Sequence, residues 1–216
     1  MLAVVVEKID NFNAGHPWSH NEYYHRWILR KLPKRFQKSL DVGCGTGNLV
    51  RKLAARAGAA SGIDNEPAVI DVARQTCAAG PAVTFSAIDL RDVVSDGEYD
   101  VVTAVAVLHH LPLAGALMKM RALLRPGGTL IVVGCYRTNS RVDRLVDAVA
   151  IPANVVMGLL ASGHSADARV AMAAPTAPPQ TTLNEIKTAA AKILPGARIR
   201  RRLFWRYSLI YTAPNR

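Results

Sequence analysis

Three glycines at alternate positions, Gly43, Gly45 and Gly47, lie between a short apolar stretch and a helix predicted over residues 48–54. Glycine carries no Cβ and readily adopts positive φ, so a ligand can approach the backbone of such a turn. The helix that follows presents unpaired N–H groups and the positive end of its dipole. A strand, a glycine loop and a helix N-terminus together predict a binding site for a cofactor.

The spacing of the glycines separates the candidate cofactors. The dinucleotide fingerprint G-x-G-x-x-G requires glycine at position 48, and that residue is Asn48. The Gly-Lys-Ser/Thr ending of a phosphate-binding P-loop is also missing from this loop. Since the loop carries no basic side chain that could neutralise a pyrophosphate, a cofactor without a phosphate chain is favoured.

Two aspartates end the next two predicted strands, Asp64 after residues 60–63 and Asp89 after residues 82–88. A carboxylate at the tip of the second strand can accept hydrogen bonds from both vicinal hydroxyls of a ribose, which suits Asp64. Asp89 is placed to accept a hydrogen bond from the exocyclic amine of an adenine. These residues favour a ligand with a nucleoside end and an amino-acid end.

Strands and helices alternate along the chain. A β-branched run over 99–107 is typical of a strand buried on both faces, and another strand is predicted over 129–133. Helices are predicted at 67–79, 113–124 and 140–150. This alternation indicates a parallel α/β sheet, whose ligand crevice lies at the carboxyl ends of the strands.

Five segments, in this order and at this spacing, resemble the motifs of the class I S-adenosylmethionine-dependent methyltransferases of small-molecule type. They are LDVGCGTG at 40–47, GID at 62–64, AIDL at 87–90, YDVVTAVAVLHHLP at 99–112 and LRPGGTLIVV at 124–133. Residues 199–211 resemble the antiparallel strand pair that closes the sheet in this family. The resemblance implies an α/β fold in three αβα layers: a Rossmann-like, doubly wound, seven-stranded sheet of order 3-2-1-4-5-7-6 with an antiparallel last strand.

The resemblance also implies one methyltransferase domain over residues 1–216, in four parts. These are an N-terminal helical lid (1–36), a cofactor-binding core (37–135), a helical insertion that covers the acceptor (136–197) and a C-terminal β-hairpin (198–216). Within the insertion, residues 151–160 are predicted to form an apolar helix that suits an apolar acceptor or a core. Thr182 is predicted to cap a further helix over 183–194, with Glu185 in its first turn.

Roles in binding S-adenosylmethionine follow from the resemblance. Asp41 and the glycine loop would hold the methionine end, Asp64 the ribose hydroxyls, Ile88 and Asp89 the adenine, and the backbone of Val105 the amino-acid portion. The predicted cofactor-binding residues are Tyr24, Asp41, Gly43, Cys44, Gly45, Gly47, Asp64, Asn65, Ile88, Asp89, Val105 and His110.

The sulfonium of this cofactor is already an activated methyl donor, so the enzyme mainly aligns the acceptor and excludes water. His109 is the candidate general base, and His110 matches a position near the sulfonium. The alternative is that both histidines satisfy backbone groups at the start of a helix. On the N-terminal helix, which Ser19 or Asn21 could cap, Tyr24 and His20 are the preferred contacts of a lid.

The amino-acid composition limits the cellular compartment, the source and the binding partners that the sequence predicts. The three cysteines, Cys44, Cys77 and Cys135, predict neither a disulfide framework nor a metal site and favour a reduced, cytoplasmic setting. No transmembrane segment or signal peptide is predicted. High alanine, arginine and valine contents indicate a GC-rich bacterial source. The 27 Lys and Arg outnumber the 16 Asp and Glu, which gives a net charge of +11.

Basic residues cluster over 26–38 and 198–202, so an RNA or other nucleic-acid methyltransferase is the alternative function. The Asn/Asp-Pro-Pro-Tyr/Phe signature of amine-methylating nucleic-acid enzymes is missing after the fourth strand. A non-catalytic cofactor binder and a protein in peripheral contact with a membrane are two further alternatives. The sequence favours methyl transfer to a small apolar or aromatic acceptor, on oxygen, nitrogen or carbon, with S-adenosylhomocysteine as the product.

Overall fold

The computed structural model describes residues 20–77, 82–94, 97–138 and 178–215. The strands are β1 (Phe36–Val42), β2 (Ala57–Asp64), β3 (Val83–Ala87), β4 (Tyr99–Val105), β5 (Leu124–Cys135), β6 (Arg198–Arg202) and β7 (Arg206–Thr212). The helices are α1 (His20–Lys31), α2 (Asn48–Ala54), α3 (Pro67–Thr76), α4 (Leu113–Leu123) and α5 (Leu183–Ile193), with 3-10 turns at Leu90–Asp92 and Leu108–His110.

The strands form one seven-stranded sheet of order β3-β2-β1-β4-β5-β7-β6, which confirms the predicted order. Strands β1 to β5 pair in parallel, whereas β7 is antiparallel to both of its neighbours, β5 and β6. The chain first builds outward from β1 through β2 to β3 and then crosses to β4 on the other side of β1. This reversal opens a crevice at the carboxyl ends of β1 and β4.

Neighbouring residues of β4 point to opposite faces of the sheet, and each face carries its own core. Val102 belongs to a cluster with Leu117 of α4 and Ile186 of α5, while Val101 belongs to a cluster with Ile28 of α1 and Leu53 of α2. Because strand side chains alternate with a period of two, helices on both faces explain the continuous β-branched run of β4. The three-layer αβα arrangement is confirmed.

Several boundaries differ from their predictions. β5 begins at Leu124, because residues 125–128 join the strand after a register shift opposite β4 between Tyr99 and Val101. β3 ends at Ala87, so Asp89 lies beyond the strand and is the N-cap of the 3-10 turn. Helix α3 ends at Thr76, three residues before the predicted end.

Helix α5 has the predicted cap. The Thr182 hydroxyl accepts a hydrogen bond from the Glu185 N–H at 3.3 Å, and the Glu185 carboxylate accepts one from the Thr182 N–H at 2.7 Å. This reciprocal capping box satisfies two backbone donors that the helix itself cannot use. Helix α5 packs against α4 and so completes the layer behind β4 and β5.

The predicted cap of α1 by Asn21 is wrong. Helix α1 includes His20, so Asn21 lies inside it, and the Asn21 side-chain oxygen accepts a hydrogen bond from Arg206 at 3.3 Å. Ser19 and the helices predicted at 140–150 and 151–160 lie outside the described residues. Among the residues that the structure describes, no helix is long and apolar enough to span a membrane.

Candidate functional site

The glycine loop joins β1 to α2 at the mouth of the crevice. Gly43, Gly45 and Gly47 have φ angles of 66°, 53° and 78°, values that side chains rarely tolerate. A Cβ on Gly47 would lie 2.5 Å from the ring of Phe85, whereas a Cβ on Gly45 would meet no atom within 4 Å. Gly47 therefore closes the loop against β3, and Gly45 leaves the loop backbone open to a ligand.

Asp64 lies at the end of β2, beside this loop. Its carboxylate accepts hydrogen bonds from the Gly45 N–H at 3.0 Å and from the Glu66 N–H at 3.1 Å, one to each oxygen. Each carboxylate oxygen can accept a second hydrogen bond, and the residue is only partly buried. The two backbone donors thus hold the carboxylate in place, with capacity left for hydroxyl groups of a ligand.

Asp41, near the end of β1, is the most deeply buried acid of the site, with 3% of its surface exposed. Its carboxylate accepts a hydrogen bond from the Thr103 hydroxyl of β4 at 2.6 Å. Burial, together with the nearby Asp64 charge, raises the pKa of Asp41 to about 7 despite that bond. No cationic side chain among the described residues pairs with Asp41. The site therefore holds an uncompensated acid that a cationic ligand group would stabilise.

The two residues predicted to contact adenine follow β3. Ile88 is partly buried, and its N–H donates to the Asp64 carbonyl at 2.9 Å. Both oxygens of Asp89 are engaged by the Arg91 guanidinium at 3.0 Å, and the Arg91 N–H adds a third bond at 2.8 Å. These contacts hold the pKa of Asp89 below its usual range. An adenine amine would therefore have to share this carboxylate with Arg91.

Three further predicted cofactor residues lie around the loop. Cys44 is buried, and burial with the Asp41 and Asp64 charges raises the pKa of its thiol, which stays protonated. Asn65 is exposed directly after Asp64, and Val105 is partly buried at the end of β4. Ala106, which follows Val105, has a φ of 56°, and its N–H donates to the Val133 carbonyl at 2.7 Å.

The two histidines lie in the 3-10 turn after β4. Their ring centroids are 3.9 Å apart, with His110 exposed and His109 partly buried. The Nδ1 atom of His109 is buried and has no hydrogen-bond partner among the described residues. Burial, with smaller electrostatic contributions from His110 and Arg206, lowers the pKa of His109 to about 4, so this ring is neutral at physiological pH.

Helix α1 contacts the turn between β6 and β7. The Tyr24 hydroxyl donates to the Leu203 carbonyl at 2.7 Å, and the Tyr24 ring is 3% exposed. Burial raises the pKa of this hydroxyl, so it remains a donor. Tyr24 thus fastens α1 to the hairpin, and its predicted contact with a cofactor stays a prediction that this burial does not favour. The His20 side chain lies outside the described residues.

Thr103 and Arg206 are site residues that the sequence did not reveal. Thr103 resembles any other residue of the β4 run, and only its pairing opposite Asp41 brings the two side chains together. Arg206 opens β7 opposite Cys135, the last residue of β5. Since β7 is antiparallel to β5, its first residue lies at the carboxyl edge of the sheet, beside the crevice. The predicted antiparallel hairpin contained this signal, but no register was assigned to it.

Comparisons with known proteins agree with this geometry. A family model described as "Methyltransferase domain" matches residues 40–128. An uncharacterized methyltransferase of Mycobacterium tuberculosis is 33% identical over 202 residues, which cover 92% of this chain and 98% of that protein. A ubiquinone biosynthesis O-methyltransferase of Thiobacillus denitrificans is 30% identical over 142 residues, 64% of this chain and 60% of that protein.

Solved structures share the fold at lower identity. The magnesium protoporphyrin IX methyltransferase of Synechocystis, crystallised with S-adenosylhomocysteine, superposes with a TM-score of 0.58 at 20% identity and covers 89% of this chain and 80% of its own. The N-methyltransferase NodS of Bradyrhizobium japonicum gives a TM-score of 0.56 at 16% identity over 90% of this chain and 96% of its own.

Alanine at two of the loop glycines should have unequal effects on stability. Gly45→Ala introduces only backbone strain, about 1–2 kcal/mol. Gly47→Ala adds a clash with the Phe85 ring, so its loss should be roughly 2–5 kcal/mol. Urea unfolding of both variants measures the difference. Equal losses would show that the Phe85 ring does not close the loop.

The contribution of Asp41 to the stability of the ligand-free protein should fall as pH rises from about 4 to about 7. Over that range the buried Asp41 holds a proton in the folded state that it releases in the unfolded state, because its pKa is raised to about 7 from the usual 3.8. The buried His25 and the partly buried His109 have lowered pKa values and contribute a slope of the opposite sign below about pH 6.5. The Asp41 slope is therefore measured as the difference in the free energy of unfolding between the wild type and an Asp41 variant, from urea titrations at several pH values.

Asp41→Asn keeps a side-chain oxygen for the Thr103 hydroxyl and lacks the charge. It should match the wild type near pH 4 and exceed it at pH 8 by roughly 2–4 kcal/mol. If the variant and the wild type show the same dependence on pH, Asp41 does not titrate in this range.

Proposed function

This chain belongs to the class I S-adenosylmethionine-dependent methyltransferases, and we propose that its acceptor is a small apolar or aromatic molecule rather than a nucleic acid. The observation that carries the proposal is the contact of α1 with the β6–β7 turn, where the Tyr24 hydroxyl donates to the Leu203 carbonyl. When bound, the cofactor supplies a methyl group on an activated sulfonium. The residues of the chain have to bind it, orient the acceptor and exclude water.

The cofactor fits the charges and the open backbone of the site. We assign the ribose hydroxyls to Asp64, whose carboxylate is already oriented by the Gly45 and Glu66 N–H groups. We assign the α-ammonium group of the methionine end to Asp41, a buried carboxylate without a cationic partner among the described residues. The backbone at Gly45 admits a close approach because no atom lies where its Cβ would be.

The acceptor side lies beyond β4, at the ends of β5 and β7. Asn21 of α1 and Cys135 of β5 both contact Arg206 at the start of β7, so helix, sheet and hairpin converge there. The Arg202 guanidinium carbon lies over the Trp27 ring, 4.6 Å from the ring centroid, and adds a contact between the hairpin and α1. The packing of α1 against the hairpin at this end of the sheet supports a small acceptor, because a polynucleotide needs an open surface.

The hairpin arginines also support this choice. Arg201 donates to the Tyr136 hydroxyl at 3.2 Å, and Arg202 donates to the Ser208 hydroxyl at 2.9 Å. Both side chains are therefore used within the fold, whereas Arg198 and Arg200 are exposed. Two exposed arginines on an edge strand are a small footprint for phosphate contacts, whereas the basic residues of the 26–38 cluster are all exposed.

His109 is the general base in this proposal. Its ring is neutral at physiological pH and its Nδ1 atom has no hydrogen-bond partner among the described residues, so the ring has an unused nitrogen that can accept a proton. The exposed His110, predicted to lie near the cofactor, contacts the His109 ring and adds to the lowering of the His109 pKa.

Removal of the Asp64 carboxylate should weaken cofactor binding. Asp64→Asn keeps an acceptor oxygen but loses the charge, so the Kd for S-adenosylmethionine should rise about 10- to 100-fold. Asp71→Asn, which removes an exposed carboxylate of α3, is the matched control and should leave the Kd unchanged. Calorimetric titration measures both. An unchanged Kd for Asp64→Asn would refute the ribose assignment.

The acceptor class is tested by release of S-adenosylhomocysteine from S-adenosylmethionine. Separate reactions contain phenols, quinols, aromatic amines or total RNA. Turnover with a small molecule and none with RNA supports the proposal, and turnover with RNA alone overturns it. With an active acceptor, His109→Gln should lower kcat about 100-fold or more while the Kd for the cofactor stays constant, as expected when a general base is lost.

A further inference from the structure

Arg206 is the first residue of β7 and lies where α1, β5 and β7 meet. One terminal nitrogen, Nη1, donates to the Cys135 sulfur at 2.9 Å, and the other, Nη2, donates to the Asn21 side-chain oxygen at 3.3 Å. The Nε atom is buried and has no hydrogen-bond partner in the part of the chain that the structure describes. Three structural elements thus fix the guanidinium, yet none of these contacts neutralises its charge.

No carboxylate among the described residues forms an ion pair with Arg206. The partners it has, a thiol and an amide, are neutral, because burial raises the pKa of the Cys135 thiol despite the nearby Arg206 charge. A partly buried cation without a counter-ion is costly, because it has lost part of its hydration without gaining a charged partner. The position is therefore suited to an anion that arrives with a ligand.

The turn before Arg206 holds an unfavourable backbone conformation. Phe204 and Trp205 have φ angles of 58° and 56°, and such left-handed values are rare for bulky side chains. The Phe204 ring is 2% exposed and packs edge-on against the Tyr23 ring at 5.4 Å, while Tyr24 holds the Leu203 carbonyl. Packing against α1 thus stabilises this turn. The turn then fixes the backbone position of Arg206, the residue that follows it.

We propose that the Arg206 guanidinium, held by Asn21 and Cys135, binds a carboxylate carried by the methyl acceptor. This proposal rests on the proposed function, since it names the charge of the acceptor at the same site. A guanidinium presents its N–H donors in a planar fork that matches the two oxygens of a carboxylate. One arginine balances one negative charge. A doubly charged phosphate would call for a second cation. The neighbouring His109 is neutral, and Arg202, which pairs opposite Arg206 in the hairpin, lies over the Trp27 ring and donates to Ser208.

The position of Arg206 relative to the base supports the proposal. Arg206 is near enough to His109 for its charge to lower the pKa of that ring. A carboxylate on Arg206 would offset this charge and raise the proton affinity of His109. Binding of the correct acceptor would thus strengthen the base that acts on it, whereas an uncharged analogue would leave the base weak.

The test compares benzoate with benzamide, which have similar shapes and differ in charge. Each is titrated calorimetrically into the protein saturated with S-adenosylhomocysteine. Benzoate should bind the wild type at least tenfold more tightly than benzamide. Arg206→Gln should abolish the preference, and Arg206→Lys, which keeps the charge without the fork, should retain part of it. Arg200→Gln removes an exposed arginine of β6 and should leave the preference intact.

The outcomes separate this proposal from the proposed function. Wild-type protein that fails to bind S-adenosylhomocysteine contradicts the proposed function itself. If that ligand binds with the same affinity to wild type and to Arg206→Gln, the fold and cofactor site are intact. In that case, equal affinities of the wild type for benzoate and benzamide overturn the carboxylate proposal alone. A preference for benzoate that is unchanged in both Arg206→Gln and Arg206→Lys also overturns it. Phenyl phosphate binding more tightly than benzoate overturns it as well, in favour of a phosphorylated acceptor.

Discussion

The chain has to leave β1 at the point where the strand order of the sheet reverses, and it has to do so without filling the crevice that the reversal creates. The loop from Gly43 to Gly47 meets this constraint with three residues at positive φ. It returns the chain directly into α2, whose first residue is Asn48. The two carboxylates assigned to the cofactor lie beside this turn, because Asp41 precedes it in the chain and Asp64 accepts a hydrogen bond from its Gly45 N–H.

Much of the positive charge of this protein has a structural task, which alters what the net charge implies about partners. The guanidinium groups of Arg51, Arg56, Arg74 and Arg121 each donate to a backbone carbonyl of another residue, at 2.5–3.3 Å. Several of these carbonyls belong to helix ends or loops, where the backbone lacks partners of its own. The cationic surface that is available to a polyanion is therefore concentrated in the exposed basic residues over 26–38 and is smaller than the arginine count alone suggests.

The parts of the fold that were predictable from sequence are those with local causes. The glycine spacing, the β-branched run of β4 and the Thr182–Glu185 cap each report on a few adjacent residues. The glycine loop and the place of Asp64 at a strand end followed from such signals, whereas the strand order followed from the resemblance of the motifs to a known family.

The features that escaped prediction depend on distant partners or on backbone angles without a residue signature. Asn21 has the side chain of a helix cap, but its oxygen contacts Arg206 across the fold. The positive φ of Ala106, Phe204 and Trp205 has no counterpart in their residue types, because packing rather than propensity sustains it. The acceptor side of the crevice consists largely of such features, which is why the sequence identified the cofactor more readily than the acceptor.

The two halves of the crevice carry opposite uncompensated charges. Asp41 is buried on the side that we assign to the cofactor, and Arg206 is partly buried on the side that we propose for the acceptor. A cofactor with an ammonium group and a sulfonium satisfies the acid, but it also brings a positive centre into a crevice that Arg206 already makes positive. An anionic acceptor relieves that repulsion and pairs with the guanidinium. The charge distribution of the protein therefore favours occupation of the crevice by both ligands together over occupation by the cofactor alone.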